Sequence, residues 1–260
     1  MTVPSPDKSL EAIRREIDSI DDEILQLLER RFAATGRVKA TKTHDGSIAA
    51  SPFRPAREAT MLRRLIGQAG TAVSPEVLVR LWRVILSAST QLQAPVTVHL
   101  DVALGHDPVS RLMIGQHFCG MKVGVHGSPA DALAALRSAQ GDVAILGTGS
   151  DWAQAFSPAA KGSPSVIGTL PVISGGSPPQ FLVFGHAEPQ ASGDDETLIL
   201  CPEGAPLPSQ LLWQAVSGRF TLASLPGFLG GEDPLLRDHL VRSPGAIVAG
   251  RCPRPIKVST

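Results

Sequence analysis

The stretch LEAIRREIDSIDDEILQLL, residues 10–28, decides the fold of the first third of the chain. Its apolar residues Leu10, Ile13, Ile17, Ile20, Ile24, Leu27 and Leu28 recur mostly at spacings of three and four, with charged residues on the other faces. That is the pattern of an amphipathic helix, since a strand would alternate with a period of two. The helix is predicted to run from about Ser9 to Thr43 and to stop at the His44-Asp45-Gly46 turn. A stripe sustained over several heptads would stay exposed in a monomer, so a partner helix is expected.

Moving outward, Pro52-Phe53-Arg54-Pro55 opens a second helix that ends near Gly67 or Gly70. Proline suits the first helical position because its φ is already helical and its missing N–H would be unpaired there anyway. Ser74-Pro75-Glu76-Val77 repeats the signal with Ser74 as N-cap. Val77, Leu78, Leu81, Trp82, Ile85 and Leu86 form the apolar side of this third helix, which reaches about Gln93. No strand pattern interrupts the three helices, so residues 1–95 read as an all-α unit.

Beyond Gln93 the chain changes character. Residues 1–95 hold only 4 of the 25 glycines and 6 of the 22 prolines, which places a boundary near Gln93 to Val96. Short apolar runs then alternate with helical segments. Strands are expected at Val96 to Ala103, Lys122 to His126, Asp142 to Gly147, Ser165 to Ile173 and Phe181 to Phe184. Helices are expected at Pro108 to Phe118, Pro129 to Ala139 and near Trp152, giving an α/β layer. The fold class is therefore α plus α/β, in three parts: residues 1–95, 96–190 and 191–260.

Composition narrows the function. The formal net charge is zero and 43% of residues are hydrophobic, which favours neither a globally basic nucleic-acid binder nor a disordered chain. Cys119, Cys201 and Cys252 are odd in number, far apart and without ligand spacing, against a disulfide framework or structural zinc. The first eighteen residues carry Lys8, Glu11, Arg14 and Arg15 where a signal peptide needs an apolar run, so a cytoplasmic protein without membrane contact is expected. Gly147 and Gly149 follow a strand but complete no phosphate-binding glycine motif. His99, His106, His117, His126, His186 and His239 show no ligand spacing and read as ordinary core or surface histidines. The first 95 residues are net basic by three charges and the remainder net acidic by three, so the helical unit is the one to search for an anionic ligand.

Several polar residues there stand apart. Arg31 and Lys42, eleven residues apart, fall within about 20° of one helix face and about three turns from each other. Glu58 sits in the first turn of the second helix, where the dipole favours a carboxylate, with Arg57 beside it and Arg54 one turn before. Ser89 and Gln93 are one turn apart late in the third helix. Each alone has an ordinary surface explanation: a solvated basic stripe, a Glu58 to Arg54 pair, a polar helix end.

Together, in order, they resemble the all-helical class of chorismate mutase. The resemblance runs from about Leu10 to Gln93 through the segments Ile13 to Asp21, Leu27 to Arg31, Arg54 to Ala59 and Ser89 to Gln93. It implies an intertwined dimer in which Arg14, supplied across the dimer, and Arg31 clamp the two substrate carboxylates, with Ser89 assisting. Lys42 and Gln93 would face the ether oxygen, Glu58 the ring hydroxyl, and Arg57 would support the pocket wall. The implied reaction, chorismate to prephenate, is a concerted pericyclic shift that needs no metal or other cofactor. Some members of the class carry aspartate where Arg54 stands, and the Thr43 to Ser51 loop is longer than in compact members.

The second region is similar in part to the prephenate dehydratase domain that follows the mutase in bifunctional enzymes, at Pro179 to Val183 and Ser192 to Thr197. That family carries Thr-Arg-Phe where Pro179-Gln180-Phe181 stands, and its threonine is catalytic, so dehydration is not expected. Residues 197–260 read as strand, helix, strand, helix, strand, a shortened ACT-type module without its Glu-Ser-Arg-Pro signature. The alternatives to a mutase are a non-catalytic binding or regulatory protein that keeps the fold, and a bifunctional mutase and dehydratase.

Overall fold

A computed structural model describes residues 6–44, 51–157, 163–174 and 176–258, with side chains of the first helix described from Leu10 to Val38. The chain divides into two compact units, Met1–Ile48 and Ala49–Thr260. The first is one helix, α1 (Pro6–His44). At 1.5 Å per residue it is about 58 Å long. Its apolar stripe is half bare: Leu10, Ile13, Ile17, Ile20, Ile24 and Leu27 each keep between 47% and 57% of their surface exposed. The turn after His44 and the side chain of Lys42 lie outside the described residues.

The second unit opens with α2 (Pro55–Gln68) and α3 (Pro75–Gln93). Both start on proline, and the Ser74 hydroxyl accepts from the Val77 N–H to cap α3. Around α3, Val77, Leu81, Val84 and Leu92 are exposed, while Val79, Arg83, Ser87 and Thr90 are buried. A cation therefore sits on the buried face. Arg63 of α2 donates to Ser192 Oγ at 2.8 Å and to the carbonyls of Asp194 and Arg254, tying this helix to the α/β region.

The α/β region is built on a nine-stranded mixed sheet. Its strands are β1 (Thr97–Asp101), β2 (Lys122–His126), β3 (Val143–Gly147), β4 (Ser165–Leu170), β6 (Phe181–Gly185), β7 (Asp195–Pro202), β8 (Trp213–Ser217), β9 (Phe220–Pro226) and β10 (Ile247–Pro253). They lie in the order β2-β1-β3-β6-β4-β10-β7-β9-β8. β5 (Ile173–Ser174) and β11 (Ile256–Lys257) pair separately. β1 runs parallel to β2 and β3, joined by α4 (Val102–His106), α5 (Pro108–His117) and α6 (Pro129–Arg137), as parallel pairs require crossovers. α7 (Pro234–Arg242) precedes β10.

β10 joins the segments before and after residue 190 by pairing with β4 on one side and β7 on the other. One core serves both: Leu146, Trp152, Phe184 and Leu182 pack with Leu198, Leu222 and Ala249. β6 is buried along its whole length, which explains why Phe181 to Gly185 reads as a continuous apolar run rather than an alternating one.

Three expectations change. The strand expected from Val96 to Ala103 ends at Asp101, whose carboxylate accepts from the Leu104 N–H and caps α4. The strand expected from Ser165 to Ile173 is two strands, β4 and β5, because Pro171 between them has no N–H to offer a ladder. The first helix expected within residues 197–260 is absent. In its place Pro206 and Pro208 lie in a loop, and β8 and β9 form a hairpin with Ser217 opposite Phe220. Gly218, at φ +58°, takes the first turn position, where a two-residue hairpin favours glycine.

Candidate functional site

On α1, Arg14 is exposed and Arg31 half-buried, beside Arg30 and Arg37 on a shallow surface that also includes Leu27 and Ala33. The Arg31 carbonyl accepts from Thr35 Oγ1 at 3.2 Å. The helix thus gathers three guanidiniums within two turns. Lys42 falls on the same helix, with its side chain outside the described residues.

In the second unit, Arg57 is exposed near the start of α2 and Glu58 is half-buried. Glu58 does not pair with Arg54, whose guanidinium donates to the carbonyls of Ser51 and Phe53 instead. Its partner is Arg83 of α3: Nη1 donates to Glu58 Oε2 at 2.5 Å, with the two side chains 7% and 16% exposed. Arg83 was missing from the residues singled out by sequence. The available signal was a cation at i+4 from Val79 and i−4 from Ser87, on the stripe that turns inward.

Arg83 also closes the end of α5. Its Nε and Nη2 donate to the His117 carbonyl at 3.3 and 3.2 Å, and Ser87 Oγ adds a third bond at 3.1 Å. His117 is the last residue of α5, so its carbonyl has no partner within the helix and lies at the negative end of the dipole. One guanidinium therefore satisfies a carboxylate and a helix terminus. Burial, reinforced by the Arg83 charge, pushes the His117 imidazole well below its usual range and keeps it neutral. Glu58, Arg83 and His117 line a pocket enclosing about 70 Å³, walled by Phe53, Leu62, Phe118 and Ile256.

At the end of α3, Ser89 is buried and its Oγ donates to the Ile85 carbonyl at 2.7 Å. Gln93 Nε2 donates to the Ser89 carbonyl at 3.3 Å. These two residues are brought together as their i,i+4 spacing requires.

Residues 13–94 match the chorismate mutase type II family model. All seven of the residues above that carry the resemblance fall inside that span. Two curated relatives are similar over about a third of the chain, and both are bifunctional chorismate mutase/prephenate dehydratases. The one from Pseudomonas aeruginosa is 32% identical over 91 residues, covering 34% of this chain and 25% of its own. The one from Stutzerimonas stutzeri is 33% identical over 91 residues, with the same coverage. The matched part is thus about a quarter of the length of those relatives. Among solved structures, a prephenate dehydratase from Arthrobacter aurescens in complex with L-Phe overlaps 63% of this chain and 93% of its own, at a TM-score of 0.40 and 13% identity. GqqA, a quorum-quenching acylase, overlaps 61% and 95% at a TM-score of 0.38 and 14% identity. Overlaps this loose support no argument about chemistry.

The α/β region holds polar clusters that spacing did not reveal. His99, on β1, stands between Asp142 and His126: its Nε2 is 3.1 Å from Asp142 Oδ2 and its Nδ1 2.9 Å from His126 Nε2. Parallel pairing sets Asp101 opposite His126 and His99 opposite Gly124, which brings together histidines 27 residues apart. The Pro179-Gln180 pair is fixed by its neighbours: Thr148 Oγ1 donates to the Pro179 carbonyl at 2.8 Å, and the Gln180 N–H donates to the Leu170 carbonyl. Among the described residues no helix is long and apolar enough to cross a membrane.

Proposed function

We propose that residues 13–94 catalyse the rearrangement of chorismate to prephenate, and that the protein works as a homodimer without a metal or other cofactor. What supports the reading is the family match, which spans every one of Arg14, Arg31, Lys42, Arg57, Glu58, Ser89 and Gln93. The half-exposed apolar stripe of α1 supports the dimer, because a helix this long buries such a stripe against a partner. Three free cysteines fit a reducing cytoplasm.

The chemistry assigns each residue type a task. In the pericyclic shift a carbon–oxygen bond breaks while a carbon–carbon bond forms, so nothing needs to attack the substrate. Arg31 and the partner's copy of Arg14 hold the two carboxylates by paired hydrogen bonds, folding the enolpyruvyl arm over the ring and removing its freedom in advance. Ser89 adds a donor to one carboxylate. Lys42 and Gln93 donate to the ether oxygen, which gains negative charge as its bond stretches. Those bonds are stronger in the transition state than in the ground state, and that difference lowers the barrier. Glu58 accepts from the ring hydroxyl, and Arg57 supports the wall behind it.

The α/β region is assigned no dehydratase step, because Pro179 and Gln180 offer neither a hydroxyl nor a guanidinium where that chemistry needs them. Incubating the full chain with chorismate and separating products by chromatography tests both statements. Prephenate is expected to accumulate. Phenylpyruvate formed at neutral pH would make the protein bifunctional, and unchanged chorismate would leave a binding protein.

A further inference from the structure

We propose that Arg83 is a positioning residue for Glu58, so that the α/β region, through the end of α5, forms part of the mutase machinery. This deepens the mutase reading above and rests on it. Arg83 uses opposite parts of one planar guanidinium: Nη1 on Glu58 Oε2, and Nε with Nη2 on the His117 carbonyl. The carbonyl belongs to a helix end packed against α3, so the cation has a fixed seat rather than a flexible one. A lysine could supply the charge but could not span both acceptors with a rigid fork.

The consequence for Glu58 is orientation. Its carboxylate stands in a pocket walled largely by apolar side chains, where a single charged hydrogen bond fixes which oxygen faces which way. Oε2 is engaged by Arg83, and among the described residues Oε1 has no hydrogen bond and is left to accept from a ligand hydroxyl. Other charged or titratable groups on the pocket are Arg254 and His117, with Arg54 and Arg57 next along α2. Arg254 is paired with Asp194 at 3.0 Å, Arg54 with backbone carbonyls, and His117 is neutral, so Arg83 is the cation that meets Glu58 directly.

A purely structural Arg83 would cap α5 and affect stability, without any dependence on Glu58 in the activity. A double-mutant cycle on the full chain separates the two roles. The variants are Arg83→Met, Arg83→Lys, Glu58→Gln and each Arg83 change combined with Glu58→Gln, read as kcat/KM for chorismate alongside the thermal midpoint. Arg83→Met is expected to lower kcat/KM roughly tenfold to a hundredfold, the range of a lost charged hydrogen bond. Arg83→Lys should recover part of that loss. In the Glu58→Gln background neither Arg83 change should lower kcat/KM further, although both should still lower the thermal midpoint. Should Arg83→Met not fold, the Arg83→Lys cycle makes the same distinction. Losses that multiply, or a folded Arg83 variant with wild-type kcat/KM, overturn the inference while leaving the mutase reading intact. A wild-type chain with no mutase activity overturns both.

Discussion

Glu196 is the residue whose replacement tests the architecture most sharply. It is 1% exposed on β7, and its carboxylate reaches four other strands. Oε2 accepts from Trp213 Nε1 of β8 at 2.7 Å and from Ser224 Oγ of β9 at 2.6 Å. Oε1 faces Thr169 Oγ1 of β4 at 3.5 Å and Cys252 Sγ of β10 at 3.8 Å. Burial raises its carboxyl above the ordinary glutamate range, opposed by the Ser224 and Trp213 hydrogen bonds. Glu196→Ala strips the acceptor from two short donors, the buried Ser224 hydroxyl and the half-buried Trp213 indole. At about 1–3 kcal/mol for a buried donor left unpaired, and less for one that water can reach, the loss comes to about 2–4 kcal/mol. Glu196→Gln keeps an oxygen for both donors and removes the buried charge, so it should stay within about 1 kcal/mol of wild type.

The pH dependence supplies a second, independent reading. The folded protein binds the Glu196 proton more tightly than the unfolded chain, so unfolding releases a proton wherever the two forms differ. Stability therefore falls as pH rises from the ordinary glutamate range through the raised native value, and levels off above it. Urea denaturation at a series of pH values, followed by tryptophan fluorescence, reads both effects. The difference between wild type and Glu196→Gln should tilt towards the Gln variant as pH rises through that window. Equal costs for Ala and Gln, or a tilt in the opposite direction, would refute the reasoning that this carboxylate is buried and shared across the sheet.

Further expectations follow mainly from burial. Leu62→Ala empties a site 1% exposed beside Val79 and Ile256, and should cost about 2–5 kcal/mol in denaturant unfolding; a cost under about 1 kcal/mol would place α2 off the sheet. Burial pushes the Cys201 thiol up to about 11, and burial with nearby carboxylates pushes Cys252 up as well, whereas Cys119 is half-buried. A thiol reagent at pH 8 should label Cys119 first and the other two only on unfolding, as peptide mass spectrometry would report. His117, held neutral, makes the unfolded chain the better proton binder at acid pH. Stability should thus decline as pH falls through the ordinary histidine range, and a His117→Gln variant should lose that part of the slope.

How much of this was legible in the sequence depended on how local the signal was. Pro55, Ser74 and Pro75 act on the first turn that follows them, and the observed helices start where those residues put them. β2 begins and ends, and β6 begins, where the sequence puts them: β6 is buried throughout and writes its own apolar run, whereas β2 is an edge strand with no buried residue, marked by its flanking glycines and proline. The first helix expected within residues 197–260 does not form because Pro206, Pro208 and the positive φ of Gly218 restrict the backbone there.

The candidate site was legible as a set of residue types and not as contacts. Ser89 and Gln93 share a turn, so spacing alone brought them together. Glu58 looked able to pair with Arg54 by the same logic, yet its partner is 25 residues away, on a neighbouring helix. The His99, His126 and Asp142 cluster depends on parallel strand register, which has no signature in the spacing of histidines.

On the proposed reading, residues 13–94 rearrange chorismate by stabilising charge on a breaking ether bond, and Lys42 is the residue on which that stabilisation turns. The initial rate of prephenate formation from chorismate by the wild-type chain and by Lys42→Ala tests it directly, with circular dichroism to verify that both are folded. Loss of one such donor costs about 3–4 kcal/mol, so the variant should be slower by roughly two to three decades. A folded Lys42→Ala protein with undiminished turnover, or a wild-type protein that forms no prephenate above the uncatalysed rate, would contradict the account.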